Sequence, residues 1–69
     1  MDYSKLRGRI REIYHTEKAF SVAMGLTPGT ISLKLNGQSR WFTDQVKKAC
    51  RLLYIADDEI DLYFFTLKV

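Results

Sequence analysis

Residues 25–37, GLTPGTISLKLNG, place two glycines, one proline and an Asn-Gly pair around a single short amphipathic run. Gly25 can take a positive φ without a side-chain clash, the conformation in which a helix most readily ends. Thr27-Pro28 has the form of an N-cap followed by proline at the first helical position, and Asn36-Gly37 closes the run. Ile31 and Leu35, four apart, face inward together, while Thr30, Ser32, Leu33 and Lys34 include the more exposed directions. The stretch therefore predicts one helix ending at Gly25, a three- or four-residue turn, and a second short helix. That is a helix-turn-helix, with Gly25 permitting the tight turn.

The rest of the chain is helical in its apolar spacing almost throughout. Leu6, Ile10, Ile13 and Tyr14 fall on one face of a first helix that Asp2 or Ser4 can cap, with Arg7, Arg9 and Arg11 largely off that face. Gly8 within it costs roughly 1 kcal/mol against alanine. Thr16 reads as the N-cap of a second helix running to about Met24, with Glu17 at its positive end and Phe20, Ala23 and Met24 inside. Trp41 and Phe42 are expected to re-enter the core, Trp41 as an anchor or a lid on helix 3. Thr43 is expected to cap a fourth helix with Val46, Ala49, Cys50 and Leu53 inward. Asp57 or Asp58 then caps a short last helix containing Ile60, Tyr63 and Phe64. The expectation is an all-α fold of five helices and no strong strand, with residues 1–69 forming one domain.

Sixty-nine residues, 46% apolar and 28% charged, suffice for one small core, and no linker or internal repeat divides them. A single cysteine, Cys50, cannot form an intramolecular disulfide, which suits a reducing compartment. No apolar run approaches the roughly 18 residues of a membrane span, and the first residues mix charge into their apolar pattern, so a soluble cytoplasmic chain is expected. One cysteine and one histidine cannot fill a structural zinc site, and the acids at 57–61 lack the spacing of a calcium loop. Cys50 has no base beside it in sequence, His15 lying in a distant turn. No catalytic residue, metal or cofactor is expected, and the chain is read as a non-enzyme.

Charge is unevenly spread. Residues 1–56 hold ten Lys and Arg against four Asp and Glu, a net of +6, and residues 57–69 hold one against four, a net of −3. A basic body with an acidic end suits a body that meets a polyanion. The major groove of DNA, about 12 Å wide, admits one helix carrying small or polar outward residues at its start, and TPGTISLK meets that description.

From about Leu6 to Phe65, the segments EKAFSVAMGLTPGTISLKLNG, RWFTDQVKKACRLLYI and DDEIDLYFF resemble the lambda-repressor-like, Cro-type helix-turn-helix regulators, and among them the small phage or prophage regulators of Gram-positive bacteria. The resemblance implies a five-helix, sequence-specific, double-stranded DNA-binding transcriptional regulator that places helix 3 in the major groove and works on the bacterial nucleoid, repression being the family's common outcome. Base reading would fall to Thr27, Thr30, Ser32, Leu33 and Lys34. The first two helical positions, Pro28 and Gly29, carry no side-chain hydrogen-bonding group. Phosphate contacts would come from Thr16, Lys18, Asn36, Gln38, Ser39 and Arg40, with Glu17 standing where the family often has a phosphate-binding Gln. The end, DLYFFTLKV, either packs Phe64 or Phe65 into the core under helices 1 and 4, or leaves one aromatic and residues 67–69 exposed to pair two copies into a homodimer on half-sites about 34 Å apart. The alternative is a protein-interaction module, such as a phage antirepressor or adaptor, that uses the aromatic C-terminus. Pro28 and Gly29 in place of polar readers keep it open.

Overall fold

The structure, a computed structural model, describes residues 3–64. Five helices follow one another: α1 (Ser4–Tyr14), α2 (Glu17–Met24), α3 (Pro28–Leu35), α4 (Thr43–Leu53) and α5 (Ile60–Phe64), the last entered through a 3-10 turn at Asp57–Glu59. No strand occurs among the described residues. The all-α, five-helix architecture with a helix-turn-helix from α2 and α3 is therefore what the chain forms.

The helix boundaries in the middle of the chain are set by the residues that sequence logic selects. The Thr16 hydroxyl accepts from the Ala19 N–H at 3.1 Å, and the Thr27 hydroxyl from the Thr30 N–H at 3.2 Å, each satisfying a donor that the helix cannot. Gly25 takes φ +74° and closes α2 through bonds to Ser21 and Val22 carbonyls. At the end of α3 the left-handed residue is Gly37, φ +77°, while Asn36 stays right-handed.

Other ends differ from expectation. Ser4 is the first residue of α1 and supplies no cap, the cap position being Tyr3; Asp2 lies outside the described residues. Thr43 opens α4 as a helical residue and leaves the cap position to Phe42, whose N–H is met instead by Gln45 Oε1 at 3.1 Å. Likewise Asp57 and Asp58 do not cap; Glu59 reaches back to the Ala56 N–H at 3.3 Å. In both cases a longer side chain three residues on accepts from the cap residue's own N–H, the half of a capping box that does not depend on a short polar cap side chain. Two C-terminal ends are tied by cations from other helices. Lys48 of α4 donates to the Met24 carbonyl at 3.2 Å, and Arg9 of α1 donates to the Leu53 carbonyl at 2.8 Å and the Tyr54 carbonyl at 3.3 Å. Positive charge at the carbonyl end of a helix is favourable.

The core is one cluster. Leu6, Ile10, Phe20, Met24, Ile31, Leu35, Val46, Ala49, Cys50, Leu53, Ile55 and Phe64 are buried in it, and every helix contributes. Trp41 packs edge-on against Phe64, ring centroids 5.1 Å apart, so the last helix is held to the α3–α4 loop by an aromatic pair. Phe42 does not re-enter the core: it is 53% exposed. Gly8 has open space where a Cβ would sit, so no close helix contact requires it.

Candidate functional site

The helix-turn-helix surface is where sequence reasoning concentrated its site residues, and the fold sorts them. Thr16, Lys18, Thr27, Pro28, Gly29, Ser32, Leu33, Asn36, Gln38 and Arg40 are exposed, and Thr30 and Ser39 are half-buried. Thr30 is turned back to its own cap, its hydroxyl 2.8 Å from that of Thr27.

Lys34 is the exception. It was expected among the outward residues of α3 and is instead 2% exposed. Its ammonium donates to the Arg40 carbonyl at 2.7 Å and lies 5.1 Å from the Phe42 ring centroid and 5.7 Å from that of Trp41. The methylene stem packs into the inner side of α3, and two aromatic faces and a carbonyl receive the charge. This also accounts for Phe42: its ring covers the lysine head.

Asn36 is exposed, but its side-chain oxygen is engaged. Arg7 donates to Asn36 Oδ1 and, through its other nitrogen, to Glu17 Oε2 at 2.8 Å. Arg7 of α1 thus ties the start of α2 to the end of α3. Nothing in the spacing announces the trio, whose members lie 10 and 29 residues apart. Glu17, read from sequence as a helix-end charge, is also the counter-ion of this tie.

The outward side of α2 and α3 is consequently small and uncharged along α3: Pro28, Gly29, Ser32 and Leu33, with Leu33 47% exposed and Val22 of α2 73% exposed. Lys18 and Arg40 stand at the margins, exposed, their side-chain charges without an ion-pair partner among the described residues. On the aromatic end, Phe64 is 1% exposed and Tyr63 is half-buried with the Lys5 ammonium 5.3 Å from its ring centroid. These two aromatics are spoken for by the fold; Phe65 to Val69, the remainder of the segment expected to bind a second copy or a partner, lie outside the described residues.

Cys50 is buried, and burial, followed by the charge of Asp57, pushes its thiol above the usual range, the reverse of what a nucleophile needs. Among the described residues no three metal-ligating side chains cluster, and no helix is long and apolar enough to cross a membrane.

What the geometry defines is a small helix-turn-helix module whose second helix presents a neutral face. The chain belongs to the DUF739 family, described as a protein of unknown function, whose model matches residues 1–67. It is similar to a solved structure, the modulator of repression (MOR) of the temperate bacteriophage TP901-1 from Lactococcus lactis, with 44% sequence identity, a TM-score of 0.84, and coverage of 99% of this chain and 92% of that one. No curated protein matches. These findings correct the resemblance drawn from the sequence: the helix-turn-helix is present, but the family is not that of the Cro-type repressors. The motif is common to both because it is a local solution of glycine, caps and two short helices, and those residues do not distinguish a repressor from a protein that modulates one.

Proposed function

We propose that this chain is a phage regulatory protein that acts by binding a repressor protein, and does so without catalysis. The similarity to a modulator of repression supports a regulatory role. The observation that carries the choice of partner is the inward Lys34, which leaves α3 with no cation on its outward side. Binding to DNA draws most of its affinity from Lys and Arg at phosphates, and its specificity from side chains that bond base edges. Proline and glycine at the head of α3 and a sequestered lysine at its tail supply neither. Val22 and Leu33 offer the apolar contact that a protein surface would take.

The second reading, direct operator binding, is favoured by exposed Lys18 and Arg40 at the margins of the same surface. One pair of titrations separates the two. The full chain is titrated calorimetrically into the repressor of the same phage or prophage, and by fluorescence anisotropy into a DNA library selected in moderate salt. A saturable complex with the repressor, weakly dependent on salt, together with no enriched sequence, is the expected result. An enriched, roughly palindromic site bound by this chain alone, with affinity falling steeply as salt rises, would overturn the proposal.

A further inference from the structure

Two adjoining hollows of about 520 Å³ and 330 Å³ lie along α4. They share Lys47 and Ile60, so they form one trough between α4 and the start of α5. Cys50, Ile55 and Ile60 line the first, and Trp41, Val46 and Ile60 the second. The two walls differ in sign. Lys47 and Arg51 stand on α4, both exposed and with no acidic partner within ion-pair distance among the described residues; Asp57 stands across from them. At the Trp41 end, the indole N–H is buried and has no acceptor among the described residues. A buried donor left unsatisfied is costly, and few occur in a native domain.

An apolar floor in two adjoining hollows, a basic wall and an acidic wall suit one kind of object. A helix laid in a groove inserts apolar residues one turn apart and keeps its polar flanks at the rims. We propose that the trough is a second contact surface for the protein partner, and that it takes an amphipathic segment whose apolar stripe enters the two hollows and whose acidic edge lies along Lys47 and Arg51. The partner's acids must face α4, because Asp57 repels them from the other wall. This rests on the reading that the partner is a repressor protein, and the experiment is arranged so that the two can fail separately.

The chain contains a single tryptophan, so its indole N–H gives one isolated resonance. The measurement is the affinity of the full-length repressor of the same phage or prophage for the wild type and for the Lys47→Glu/Arg51→Glu double variant, with the ¹H–¹⁵N signal of Trp41 followed while peptides tiling the repressor are added. Both substituted residues are exposed, so the variant is expected to fold, which its circular dichroism checks. An acidic, apolar-striped peptide that moves the Trp41 signal, and a loss of at least tenfold in the double variant's affinity for both the repressor and that peptide, the peptide's loss being reversed by a Lys-for-acid exchange in it, bear the proposal out. If the repressor binds but the Trp41 signal stays in place and charge reversal changes affinity less than twofold, the trough proposal is overturned and the functional reading stands. If the repressor does not bind at all, both are overturned.

Discussion

Helices α3 and α4 both carry lysine on an amphipathic run, and they use it in opposite ways. In α3 the single lysine, Lys34, is drawn inside, its charge held by a carbonyl and two aromatic rings. In α4 Lys48 is drawn to the end of α2, but Lys47 and Arg51 point outward beside an apolar trough. The helix that occupies the reading position of the motif is the one without an outward cation, and α4, which packs on α1 and α2, is the one with spare positive charge. A motif therefore tells where a helix sits, and the disposition of its side chains tells what that helix can touch.

The strongest way to break this comparison is Lys34→Ala. It removes a buried stem and its charge from beneath Phe42 and Trp41, and we expect a loss of about 2 kcal/mol in urea unfolding, the range of a large-to-small change at a buried site. Lys34→Met, which keeps the stem, recovers part of it. Lys47→Ala and Arg51→Ala should each stay within about 0.5 kcal/mol of wild type. Equal effects at all three positions would remove the distinction between a structural and a surface cation.

A smaller effect is expected at the turn that sets α3 at its angle. Gly25→Ala forces a side chain into the left-handed region and should cost roughly 1–2 kcal/mol. Gly8→Ala, in a helix interior with open space around it, should instead stabilise by about 0.5–1 kcal/mol, read as a higher Tm. Next in size is the tie between α1, α2 and α3. Arg7→Gln breaks a pair about one-third exposed, so no more than about 1 kcal/mol should be lost, and less in high salt. Weakest in stability terms is Cys50 on the trough side. Its raised pKa lowers the thiolate fraction at any given pH and its burial limits access, so alkylation at pH 8 should run at least about tenfold slower than for an exposed cysteine, recovering on urea unfolding.

How much of this was readable from the chain follows the range of each interaction. Thr16, Gly25, Thr27 and Pro28 do what their types and spacing imply, because a cap is decided within about four residues. Val46, Ala49, Cys50 and Leu53 are all buried as their period requires. Lys34 was misplaced because lysine is ordinarily exposed, yet three residues beyond Ile31 puts it only about 60° around the helix from an inward position. That spacing, with Trp41-Phe42 close by in the chain, was the available signal. Phe42 was misplaced by the converse prior, that an aromatic belongs in the core. The Arg7–Glu17–Asn36 tie carried no local signal, since three surfaces had to be docked before the three groups met.

The sequence alone determined the helices, their order and the helix-turn-helix, since each depends on periodicity and on backbone groups satisfied by near neighbours. Only the tertiary structure decided which charges remain outside. Whether a cation points to solvent, to a carbonyl on another helix or to an aromatic face depends on what the packed fold brings within about 4–6 Å of it. In this protein that choice closed the outward face of α3 to Lys34 and left Lys47 and Arg51 free along α4.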